Sequence, residues 1–222
     1  MIYKIKEFHD KNLIDIYTRA MADLEELYRF KWTKNRPRII LVENRSMIDG
    51  LRGEKTENWL VGWSEGGRNI FVLDIHKMAK ESSHKKSSEE YECLVKHELS
   101  HAFLRVVSGF AHYIPTWFNE GIAIYFSGQN KHKRPVVKFD EFLEYYDKGG
   151  SGIYSESGFA IEALVNRFGK IKLLKLIAKL KNIKNKKDFV TLFKTIYKSD
   201  PSYGYFNELI PKNNRIQNLN RK

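Results

Sequence analysis

The chain is expected to be an α+β protein: a small N-terminal sheet, mixed or antiparallel, packed on a helix that carries two histidines, followed by a mainly helical lobe. Three observations lead there. Strand-type apolar runs are confined to the first third, as "IILV" behind Pro37 and as two runs flanking "SEGGR", and short runs bounded by turn residues suit strands better than helices. From Ser88 onward the apolar residues instead recur at helical spacing. The third is size, since 222 residues, 42% of them hydrophobic, suffice for one core shared by two lobes. No internal repeat or long linker interrupts the chain, so residues 1–222 read as a single domain with approximate lobes 1–110 and 111–210 and a basic tail at 211–222.

The elements follow in order. Asn12 to Phe30 places Leu13, Ile16, Tyr17, Ala20, Leu24 and Leu27 on one face with charges between them, the pattern of an amphipathic helix. Ile39 to Val42 is a buried strand, and "SMIDGLRGEK" suits a short helix or a turn. Trp59 to Trp63 and Asn69 to Leu73 read as a hairpin joined through glycines. The polar loop "KESSHKKSSEE", with His84 solvated, ends in Ser87 and Glu90, a capping box that opens a helix from Ser88 to Val107. Gly109 stops that helix. Pro115 precedes a second helix, from Thr116 to a stop at Gly128, and further helices are expected over Phe139 to Tyr146, Gly158 to Phe168, Ile171 to Leu180 and Lys187 to Tyr197.

Charge and cysteine content narrow the function classes. Lys plus Arg at 39 against Asp plus Glu at 27 gives a net charge of +12, which favours an acidic partner such as nucleic acid or anionic lipid, or else reflects lysines spread evenly over solvated faces. The even spread is the expectation, and no nucleic-acid motif is found. A single cysteine, Cys93, excludes an intramolecular disulfide framework and a cysteine-rich zinc site, and its apolar surroundings suit a small buried side chain. Neither a signal peptide nor a run long enough to span a bilayer is found. The expected compartment is therefore cytoplasmic, or secreted if a leader has been removed.

Within the apolar run "CLVKHELSHAFLRVV", His97 and His101 stand four residues apart. On a helix that separation turns both imidazoles the same way, about 6 Å apart along the axis, so two nitrogens can reach one ion. Glu98, next around the helix, lies beside such an ion as a general base without coordinating it; the pattern is HExxH. Burying two imidazoles and a carboxylate among Leu94, Val95, Leu99 and Phe103 is costly unless each has a partner. An accidental HExxH arises in about one chain in a hundred of this composition, so the reading needs a third ligand. After His101 come eighteen residues and then Glu120 in "PTWFNEGIAIYF", and two histidines with one glutamate form a known set for catalytic zinc, which keeps a fourth position for water. Gly121 is expected to let the two ligand-bearing helices approach. Alone, Glu120 reads equally as a surface carboxylate near a helix start.

HExxH followed by glutamate inside "WFNEGIA" resembles the gluzincin metallopeptidases, in particular the compact peptidase MA-like group and the zinc aminopeptidases. The specific likeness spans Cys93 to Phe126, and a looser one runs from "IILV" through "GRNIFVLD" to "YSESGFAIEALVNRFG". The resemblance implies a thermolysin-like minimal core, zinc on His97, His101 and Glu120, Glu98 as base, and a peptide or protein substrate in a cleft. By position and family likeness Tyr154, ahead of the "SESGFAIEAL" helix, is the expected oxyanion donor, or else one of 12 tyrosines packing a lobe. His112, between the ligand helices, is a second donor candidate or plain polar surface. The strand "NIFVLD" lies at the cleft edge, pairing with an extended peptide, or inside the sheet.

The aminopeptidases also carry a G-x-M-E-N element that holds the substrate amine; Glu65 in "GWSEGGR" echoes it only faintly. An endopeptidase or narrow processing protease is the expected activity. Two alternatives stay open: a regulatory protease that cuts a single repressor, and a basic binding protein whose zinc site is vestigial or structural.

Overall fold

A computed structural model describes residues 6–85 and 87–211, so of the expected basic tail only Pro211 falls within the described part. The chain divides into two compact units between Ala102 and Phe103, a point inside one helix rather than in a linker.

In the first unit α1, Lys11–Tyr28, is capped by Asp10, whose side chain accepts from the Leu13 N–H, and ends where Arg29 turns left-handed. It buries Ala20, Met21, Leu24 and Tyr28, close to the face the periodicity predicts. The sheet has the order β1-β3-β2. β1, Arg38–Val42, runs parallel to β3, Asn69–Leu73, and β2, Gly62–Glu65, runs antiparallel to it. The sheet is therefore mixed. β3 is its central strand, with Ile70, Phe71, Val72 and Leu73 all buried. The expectation that "NIFVLD" forms a cleft edge is corrected: the edge strands are β1 and β2.

The strand expected from Trp59 begins only at Gly62. The preceding residues form a turn, with the Leu60 N–H donating to the Glu57 carbonyl at 3.0 Å and the Trp59 carbonyl paired with His84 Nε2 at 2.9 Å. Arg45 at the start of α2, Arg45–Arg52, holds that turn, its guanidinium donating to the carbonyls of Glu57 (3.2 Å), Asn58 (3.1 Å) and Leu60 (2.7 Å). Carbonyls held this way are not available to a strand ladder. The same guanidinium bonds the carbonyl of Glu81 at the end of α3, Ile75–Glu81. It thereby ties one loop and two helices of this unit together.

α4, Ser88–Val107, has the predicted bounds. Ser87 Oγ accepts from the Glu90 N–H at 3.3 Å, one half of the expected capping box. At the far end Gly109 and Phe110 are left-handed, and the Phe110 N–H returns to the Arg105 carbonyl at 2.8 Å. Tyr91, Val95, Leu99 and Ala102 are buried along α4, with the Tyr91 hydroxyl donating to the Leu73 carbonyl of β3 at 3.1 Å. The Tyr28 hydroxyl reaches the Ser100 carbonyl at 3.0 Å. α4 is thus fixed to both the sheet and α1, while Cys93 on it is half-buried.

The second unit is built on α5, Thr116–Ser127, and α6, Ser151–Phe168, followed by α7, Lys170–Lys179, α8, Lys186–Tyr197, and α9, Tyr203–Leu209. α5 ends as predicted at Gly128, φ 83°. A Cβ on Gly121 would stand 2.7 Å from the Ser157 carbonyl oxygen and 2.9 Å from Ile161 Cγ1. Gly121 therefore admits α6, and the expected role between the two ligand helices is corrected. Trp117 sits at the centre of the core, edge-on to Phe142, Phe189 and Phe206 at 5.1–5.9 Å.

The helix expected over Phe139 to Tyr146 reduces to one 3-10 turn, Phe142–Glu144. Its backbone is engaged elsewhere. The Glu156 carboxylate accepts the N–H groups of Asp140, Glu141 and Phe142 at 3.1–3.2 Å. The Tyr145 and Tyr146 carbonyls accept from the Trp117 and Thr116 N–H groups, both at 2.9 Å, and so complete the start of α5. Among the described residues no helix is long and apolar enough to cross a membrane.

Candidate metal centre

α4 presents His97 and His101 one turn apart, and their Nε2 atoms stand 3.1 Å from each other with the rings nearly perpendicular. Glu120, half-buried near the middle of α5, completes the group: one ligand atom from each of the three residues lies within 4.8 Å of the others. The three residues singled out in the sequence as ligands are thus brought together. Two nitrogens bound at 2.0–2.1 Å to one tetrahedral zinc stand about 3.3 Å apart. The spacing of the two Nε2 atoms fits that geometry. A hydrogen bond between them would need one Nε2–H, whereas a shared cation needs both nitrogens as lone-pair donors. The group can hold a metal ion, and its donor chemistry, two imidazoles and a carboxylate, suits a divalent transition metal.

Glu98 lies between the two histidines in sequence and is buried, 6% exposed, as is His97. It is covered by β2. A Cβ built on Gly62 would meet Glu98 Cγ at 3.2 Å, Leu94 Cδ1 at 3.2 Å and Glu98 Oε1 at 3.3 Å. Gly62 pairs with Val72 across the ladder, next to the hydrogen-bonded Val61 and Leu73. Alternation in an antiparallel pair then turns the N–H and C=O of Gly62 away from β3, toward the outer edge. An edge strand's backbone thus passes directly beside the Glu98 carboxylate.

Tyr154 lies inside the first turn of α6, not ahead of it as expected, because that helix starts at Ser151. It is 37% exposed. Its carbonyl accepts from Lys133 Nζ at 2.6 Å. Sequence reasoning missed Lys133, since "QNKHKR" reads as a basic surface loop. Burial pulls its ammonium down to about 8, and the field of the Glu120 carboxylate opposes that fall. A cation therefore lies within electrostatic reach of the third candidate ligand and is held by the residue expected to act as donor. His112 stands exposed between α4 and α5.

Gly62 was missed for a different reason. A glycine beside a tryptophan carries no signal of what lies across from it. Glu65, at the end of β2, is exposed and accepts from the Trp63 indole N–H at 2.8 Å.

Compared with known proteins, the chain matches no family model, no curated protein and no solved structure.

Proposed function

We propose that the chain is a zinc-dependent peptidase, built on a thermolysin-like minimal core, that cuts extended peptides internally. The observation that carries this reading is the convergence of Glu120, separated from His101 by eighteen intervening residues, on two histidine nitrogens already aligned by one helical turn. A metal-binding pair alone would leave its role open. Glu98, one residue from His97, supplies the group that a purely structural site does not need.

A divalent ion held by His97, His101 and Glu120 contributes Lewis acidity toward a carbonyl oxygen and toward water. The chain's own residues do the rest. Gly62 and Ser64 offer backbone N–H and C=O groups along the edge of β2, where an extended substrate adds as a further strand. The Glu98 carboxylate accepts a proton from the attacking water, whose oxygen bonds to the scissile carbonyl carbon. The same carboxyl then delivers that proton to the departing nitrogen as the C–N bond breaks. Burial of Glu98 under β2 keeps bulk water from competing for the proton. Tyr154 is our candidate donor to the developing oxyanion.

The test separates base from ligand. Glu98→Gln keeps the shape of the site and all three ligands, so zinc content measured by mass spectrometry should stay near one per chain. Cleavage of a quenched-fluorescent peptide should meanwhile fall by about a hundredfold or more. Glu120→Ala removes a coordinating oxygen, so zinc affinity itself should drop, with activity partly restored by excess metal. Full activity in Glu98→Gln, or no zinc in the metal-replete wild-type protein, would sink the proposal.

A further inference from the structure

The net charge of +12 is not spread evenly. Between Glu162 and Asp188 the chain carries nine Lys or Arg and no Asp or Glu. This stretch includes all of α7, whose buried residues Leu173, Leu176 and Ile177 face the core. Lys172, Lys175 and Lys179 recur at i, i+3 and i+7, which sets them along one edge of the helix. They line a groove of about 400 Å³ together with Phe168, Ile171 and Ile196.

Nothing in the fold calls for this arrangement. Like charges at i, i+3 and i, i+4 repel along a helix, and among the described residues none of the three lysines has an ion-pair partner. Lys172 is nevertheless held in place, with Nζ 4.4 Å from the Phe168 ring centroid and 5.4 Å from that of Tyr197. Ile171, beside it, is 41% exposed. A fixed cation, two further cations and an apolar floor thus share one small concavity.

We propose that this groove docks an acidic peptide segment of a partner protein, with an apolar side chain seated among Phe168, Ile171 and Ile196 and carboxylates meeting Lys172, Lys175 and Lys179. The other anionic occupants fit less well. A bilayer would need an exposed apolar face, but that of α7 is turned into the core. A single-stranded nucleic acid would need an open aromatic face for stacking, and the Phe168 ring has Lys172 and, at 6.0 Å, Arg167 over it. The chain's own C-terminal residues 212–222 are basic, with no acidic residue among them. Lysines, as flexible point charges, accommodate carboxylates without a fixed geometry, and the volume is at the small end for a binding pocket, enough for an anchoring side chain. This inference does not depend on the peptidase reading, because docking is measured without turnover.

The probe is a fluorescein-labelled, N-acetylated peptide of alternating Glu and Leu, titrated with the full chain at low salt with a chelator present, so that no hydrolysis consumes it. Joint reversal of Lys172, Lys175 and Lys179 to Glu should weaken binding at least tenfold. Reversal of Lys55, Lys77 and Lys80, exposed in the other unit, lowers the net charge equally and should weaken it less than twofold. Ile171→Ser, or Ser in place of Leu in the probe, should cost about threefold. Should the charge-reversed triple fail to fold by circular dichroism, the corresponding Lys→Gln triple takes its place with the same expected direction. Equal losses in both triples would mean attraction to overall charge and would overturn the proposal. So would tighter, lysine-dependent binding to phosphatidylglycerol vesicles or to a single-stranded oligonucleotide than to the peptide.

Discussion

Gly62 occupies a position where any side chain would press on the Glu98 carboxylate, since a Cβ there would stand 3.2 Å from Glu98 Cγ and 3.2 Å from Leu94 Cδ1. Gly62→Ala should therefore move the carboxylate by a few tenths of an ångström. Small misplacements of a reacting group are costly in rate. Turnover should fall about fivefold with zinc content unchanged; a wild-type rate would show that Glu98 is not held by β2. Glu156 makes a second residue-level case. Its pKa is raised above the ordinary glutamate value, chiefly by burial, against three backbone N–H donors that pull it down. A carboxyl whose folded pKa is raised binds its proton more tightly in the folded state, so its contribution to stability is greatest at low pH. That contribution is lost as pH rises from 4.5 through the raised folded value, and is flat above it. In Glu156→Gln the fall should disappear, which denaturant titrations at pH 4.5, 5.5 and 6.5 would reveal as a flatter profile than that of the wild type.

At the scale of elements, the α5–α6 contact ties fold to site, because Gly121 at that contact is the neighbour of Glu120. An alanine at 121 would gain up to about 1 kcal/mol in helix propensity, but its Cβ would stand 2.7 Å from the Ser157 carbonyl oxygen. That atom is backbone and cannot swing aside, so overpacking, about 1–3 kcal/mol, wins. Gly121→Ala should be destabilised in urea titrations by about 1–2 kcal/mol and should bind zinc more weakly. The elements legible in the sequence were those whose signals are local. α4 has its cap at Ser87 and its stop at Gly109, and α5 has Pro115 and Gly128. Phe139 to Tyr146 and Trp59 to Leu60 misled because their backbone groups answer to Glu156, to the start of α5, to His84 and to Arg45, partners that no local window contains.

At the scale of the whole molecule, the proposed peptidase activity raises the question of which peptides such a site would accept. Glu65 stands where an amine anchor would be sought, yet one of its oxygens is taken by the Trp63 indole. Acetylated and free forms of one peptide should therefore be cleaved at comparable rates by liquid chromatography; loss of cleavage on acetylation would make Glu65 the anchor and the enzyme an aminopeptidase. What the sequence by itself determined was a candidate ligand group: helical repeat fixes the direction of His97 and His101, and Glu120, eighteen intervening residues on, was the carboxylate it singled out to complete the group. It also determined the class, a small sheet with many helices. What only the tertiary structure decided was which strand lies beside the site, which helix Gly121 admits, where Lys133 and Gly62 stand, and that the α7 lysines border a groove. Those are contacts between residues far apart in the chain, set by how side-chain volumes and backbone hydrogen bonds are satisfied together, and neither periodicity nor spacing encodes them one segment at a time.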